Sequence, residues 1–93
     1  MSSTSNGTLT LYPNPNNGDQ LFINLTKVDA DVNTVSVDLY DLAGKQLSAH
    51  TIKVSDGFVK TNINLNGELA NGLYMVNITA GAKTYNERLV IQK

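Results

Sequence analysis

The sequence predicts an all-β fold: an immunoglobulin-like antiparallel β-sandwich of about seven strands. Three observations carry that prediction. Apolar and polar residues alternate in short runs, the signature of strands with one face on a core and one in water. Gly, Asn, Asp and Pro punctuate the runs. The chain has 93 residues, the size of one domain, and the runs recur at the spacing of a sandwich. A small barrel is the alternative architecture.

The strands are expected near 8–12, 20–26, 33–40, 45–54, 57–65, 73–80 and 83–91. Between the first two, Pro13-Asn14-Pro15 makes a rigid exit and Asn16-Asn17-Gly18 a reversal. Leu21, Ile23 and Leu25 then alternate with Phe22, Asn24 and Thr26. In the third run Val35, Val37 and Leu39 alternate with Ser36, Asp38 and Tyr40. Asp41-Leu42-Ala43-Gly44 has Asp first and Gly fourth, as a type I turn prefers. The fourth run is irregular: Leu47 and Ala49 point to one inward face and Ile52 and Val54 to the other, so one bulge residue between them is expected.

Asp56-Gly57 is a hairpin signal. Val59, Thr61, Ile63 and Leu65 share the next inward face. Residues 66–72 have room for one helical turn around Leu69, capped by Asn66 and stopped by Gly72. Tyr74, Val76 and Ile78 line the sixth strand, and Gly81 supplies the turn to the seventh. There Tyr85, Leu89 and Ile91 share a face with Glu87 and oppose Asn86, Arg88 and Gln92. Residues 1–7 lack an apolar stretch, so they read as a flexible lead-in or added linker rather than a signal peptide, with the patterned domain at 8–93.

Composition excludes several functions. Seven basic and eight acidic residues give a net charge of −1 with no basic stripe, against nucleic acid or an anionic membrane as partner. No apolar run reaches the roughly 20 residues of a spanning helix, so no direct membrane insertion is expected. With no cysteine, disulfides, thiolate nucleophiles and thiolate metal sites drop out.

Candidate chemistry is sparse, and neither an enzyme nor a bound cofactor is expected. His50 is the only histidine, and nothing around it resembles a triad, so it reads as a rim or exposed residue. Asp29, Asp31 and Asn33 match the first ligand spacings of an EF-hand loop, but Thr34 stands at the Gly position and Tyr40 at the Glu position. A polar loop is the preferred reading; a weak calcium site at Asp29–Asn33 is the alternative. The sequons Asn24-Leu25-Thr26 and Asn77-Ile78-Thr79 fall inside strands and carry little weight.

Four segments together resemble one family. Leu11-Tyr12-Pro13-Asn14-Pro15, with Gly18 and Phe22-Ile23-Asn24, is similar to the opening of the type A C-terminal sorting domain of the type IX secretion system of Bacteroidota. Val37 to Lys45, with its Asp-x-x-Gly-Lys turn, resembles the second signature of that family. Leu69 to Tyr74 with Val76 resembles the third, and Arg88 to Lys93 the basic, β-branched end. The resemblance runs from residue 8 to 93. Arg88 stands where the family often has Lys, and Asn71 where it has a small residue.

The resemblance implies a secretion signal that takes an N-terminally fused cargo through the type IX translocon. The route would pass the periplasm and end at the cell surface or in the medium, and a sortase-like peptidase would usually remove the domain. The family positions are Pro13, Asn14, Pro15, Gly18, Asp41, Gly44, Lys45, Gly72, Tyr74, Arg88, Val90 and Lys93. Recognition is expected to centre on the hairpin at residues 73–93. Its last strand could lie at a sheet edge with unpaired amides for a partner strand, and Arg88 and Lys93 would add charge. An open edge would also allow dimerisation. A carbohydrate-binding or adhesive sandwich of a surface enzyme is the alternative, and it predicts an aromatic platform.

Overall fold

A computed structural model describes residues 8–65 and 67–93. Seven strands form: β1 (Leu9–Tyr12), β2 (Gln20–Leu25), β3 (Thr34–Asp41), β4 (Gln46–Lys53), β5 (Val59–Asn64), β6 (Gly72–Ala80) and β7 (Lys83–Ile91). They build two antiparallel sheets, one ordered β1-β2-β5 and the other β4-β3-β6-β7. The alternation read from the sequence decides what lies between them. Leu21, Ile23, Leu25, Val35, Val37, Val59, Val76, Ile78, Leu89 and Ile91 are all buried in one core. Burying a side chain of this size stabilises the fold by about 1.5–3 kcal/mol.

The turns follow their residue chemistry. Gly44 N–H donates to the Asp41 carbonyl at 3.1 Å, while Asp41 Oδ1 accepts from Ala43 N–H and Lys45 N–H, each at 2.9 Å. Gly44 has φ +87°, so this hairpin needs glycine. Gly81 joins β6 to β7 at φ +64°, and a Cβ there would lie 2.9 Å from Val32 Cγ2.

Four expectations need correction or narrowing. The β4 bulge exists, but it lies at Leu47, where the pairing steps from Leu39–Ser48 to Tyr40–Gln46. Leu47 and Ala49 therefore face solvent, and Ser48, His50 and Ile52 turn inward. The Asp56-Gly57 turn forms, with φ +54° and +79° and reciprocal Ser55–Phe58 bonds of 2.9 Å. It does not close a hairpin within one sheet; it carries the chain from β4 to β5 in the opposite sheet. No helical turn forms among the described residues of 67–72, although Leu69 still packs on the core. The capping role expected of Asn66, and the lead-in at 1–7, lie outside the described residues. Finally, β7 is an edge strand, but its C-terminal half is not open.

That closure is made by Asn16, the one fully buried polar residue among those described, at 0% exposure. Its N–H donates to the Val90 carbonyl and its carbonyl accepts from Gln92 N–H, both at 2.7 Å, forming a parallel bridge beside Ile91. Its Nδ2 donates to the carbonyls of Gln20 (2.8 Å) and Pro13 (3.2 Å), and its Oδ1 accepts from Gly18 N–H at 2.7 Å. The first strand thus leaves β2 and docks on β7, tying the two sheets along one side. Tyr74, at the start of β6, donates its hydroxyl to the Ala70 carbonyl at 2.7 Å, the corner contact of immunoglobulin-like sandwiches.

Asn16→Ala removes three side-chain hydrogen bonds, one of them buried, and should cost about 2–4 kcal/mol. Urea unfolding should show this, with a melting temperature lower by at least about 8 °C.

Candidate functional site

The sandwich is elongated, 39 × 24 × 20 Å, and its two ends differ. The chain enters at one end, where Thr8 and Thr26 are bonded, together with the 26–33 loop and the Ser55–Phe58 and Ala80–Lys83 turns. At the other end β2 and β6 begin and β3 and β7 finish. The family positions all fall in this second, distal half.

Most of them have bonding duties there. Asn14 acts as a short strand laid on β7: its Nδ2 donates to the Arg88 carbonyl at 2.8 Å and its Oδ1 accepts from Val90 N–H at 3.1 Å. Pro13 and Pro15 flank it and are exposed. Gly18, at φ +86°, leaves room for Lys93, since a Cβ would sit 2.9 Å from Lys93 Cε. The Lys93 ammonium donates to the Gly67 carbonyl at 2.8 Å, and Lys93 N–H donates to Asn71 Oδ1 at 2.9 Å. Asp41 and Gly44 make the hairpin turn, Gly72 starts β6 opposite Ile91, and Tyr74 is buried opposite Asp41 and Leu89. The Lys93 ammonium is thereby tied to the domain while remaining exposed.

Lys45 and Arg88 stand apart, because both side chains are exposed and neither has a polar partner among the described residues. Arg88 opposes Met75, and Met75 opposes Tyr40 on β3. Val90 opposes Leu73 one row nearer the end. Leu73 and Met75 are each 38% exposed, so an apolar strip with one cation crosses this outer face. Beside it an open depression of about 460 Å³ is lined by Asn14, Met75, Asn86, Glu87, Arg88 and Val90. Sequence reasoning missed Asn16, Leu73 and Met75. The Asn-Asn-Gly turn signal pointed near Asn16, but nothing local shows that it bridges to residue 90.

The other candidates lie elsewhere. His50 stands at the mouth of a groove of about 190 Å³ that Ser48 and Glu68 also line, with Leu47, Leu65 and Leu69. No hydrogen bond joins Ser48, His50 and Glu68, whereas a nucleophile and base work within about 3 Å. Asp29 pairs with Lys83 at 3.4 Å, and no cluster of metal-binding residues occurs among the described residues. Tyr12 and Phe22 stack on each other across β1 and β2, centroids 5.4 Å apart, covering one face of each ring.

The fold defines the class first, an immunoglobulin-like sandwich domain. The chain is similar to a polysaccharide deacetylase from Bacillus cereus at TM-score 0.70 and 13% identity, over 95% of this chain and 31% of that one. It is also similar to trypsin-activated alpha-2-macroglobulin from Escherichia coli at TM-score 0.68 and 11% identity, over 94% of this chain and 7% of that one. The chain therefore spans under a third of either structure, and the likeness is one of fold. No curated protein matches it. A family model for the secretion system C-terminal sorting domain matches residues 10–92. The chain belongs to that family, the C-terminal sorting domains of type IX secretion.

Asn14→Ala should release the Val90 amide to solvent while Asn16 still protects Gln92. Amide exchange should then quicken at Val90 alone, with stability reduced by about 0.5–1.5 kcal/mol.

Proposed function

We propose that residues 8–93 are the unit that the type IX translocon reads, and that it reads the distal half. Membership in the family makes the chain a C-terminal sorting signal for an N-terminally attached cargo, exported to the cell surface or the medium. The observation that carries the finer reading is polarity. The motif positions gather at one end, and the chain arrives from cargo at the other. A cargo fused before Thr8 leaves the distal half uncovered on passage through the periplasm.

The same polarity supports removal by a sortase-like peptidase. Cleavage needs extended, unpaired backbone, and from Leu9 onward most of the described chain is held in the seven strands of the sandwich. The junction therefore lies before Leu9, at the entry end, where a peptidase can act while the distal half is held.

Two measurements test this. Residues 8–93 fused to a periplasmic reporter should carry it out of a type IX-competent bacterium, and a folded fusion that stays in the periplasm overturns the reading. Lys45→Glu with Arg88→Glu should lower export about tenfold with melting temperature nearly unchanged, because both side chains are exposed. Deleting 89–93 is a poorer test, since Leu89 and Ile91 belong to the core.

A further inference from the structure

We infer that the open stretch of β7, from Thr84 to Arg88, receives an extended strand of a partner protein, and that Asn14 sets where that strand stops. The inference rests on the sorting role proposed above.

Backbone direction is the first argument. Within an antiparallel strand both polar groups of a residue point to the same side, and successive residues point to opposite sides. The pairing of β7 with β6 is unbroken from Lys83 to Ile91. The Arg88 carbonyl, both backbone groups of Val90 and Gln92 N–H point outward and are bonded to Asn14 and Asn16. By the same alternation Thr84 and Asn86, with Arg88 N–H, point outward as well. These groups have no partner among the described residues. The edge is thus closed from the Arg88 carbonyl onward and open before it.

The molecule itself supplies the second argument. Asn14 and Asn16 already occupy this edge as a strand would, through side-chain amide and backbone bonds and a parallel bridge. An incoming segment of about five residues would continue that line and meet Asn14 at its end. Its register is then fixed by a side chain rather than by sequence matching alone.

The third argument is the surface beside the edge. The depression over Met75 and Val90 adjoins Asn86 and Arg88, and the Arg88 guanidinium has no carboxylate partner. The occupant that fits is an extended segment with an apolar side chain over Met75 and an acidic one within reach of Arg88. Main-chain bonds then give affinity and these two side chains give choice.

Proline provides the test, since Pro is tolerated on an edge strand whose N–H faces solvent. In the reporter fusion, Asn86→Pro should cut export about tenfold relative to Asn86→Ala, which loses the same side chain but keeps the N–H. Thr84→Pro makes the same test at the neighbouring open amide if Asn86→Pro misfolds. Folding is checked by melting temperature. In the free 93-residue chain, the Thr84 and Asn86 amides should exchange about 100-fold faster than those of Val90 and Gln92. A protected Asn86 amide, or folded proline variants that export normally, overturns the proposal. Self-association abolished by Asn86→Pro also overturns it, by making the occupant a second copy. Failure of the unmodified fusion to leave the cell sinks the sorting reading and this inference with it, whereas normal export of the fusion and of the proline variants sinks this inference alone.

Discussion

The structure depends on a handover made by one buried asparagine. The first strand pairs with β2, then crosses the side of the sandwich and docks on β7 through Asn16. A carboxamide suits this place because it donates twice and accepts once without carrying charge into the core. Burying it is favourable only because every group has a partner. The arrangement joins the beginning of the chain to its last strand, so the core closes only when both are in place.

This handover also divides the motif residues by what they do. Asn14, Gly18, Tyr74 and Lys93 are held by bonds or close packing within the domain. These positions hold the distal half of the domain together. Lys45 and Arg88 are exposed and polar-unpaired, and Arg88 adjoins apolar side chains from β6 and β7. Few of the family positions therefore carry exposed side chains without a polar partner among the described residues.

An edge strand is a hazard, because unpaired backbone invites aggregation. Here the Asn14–Asn16 segment covers the distal part of β7 and leaves a short stretch open. Short edges limit indiscriminate pairing while leaving a defined place for a chosen one.

Much of the fold was legible in the sequence. Period-two alternation placed the strands within a residue or two, because burial of one sheet face imposes that pattern directly. Asp41, Gly44 and Gly81 marked their turns because backbone geometry selects those residue types locally. Three features were decided only by tertiary structure. The Asp56-Gly57 turn looks the same whether its strands share a sheet or part, since the turn fixes local direction and not which sheet each strand joins. Leu47 and Ala49 face solvent because the bulge lies at Leu47 and not between Ala49 and Ile52, and only the pairing with β3 decides that position. Asn16 and Asn14 gave no sign of binding residues 88–92, since a contact across more than seventy residues leaves no local period to detect. The sequence by itself determined the alternation, the glycine turns and the family, because burial and backbone geometry act locally; tertiary structure alone decided which edge is closed and which backbone groups of β7 stay unpaired among the described residues, because those contacts join distant segments.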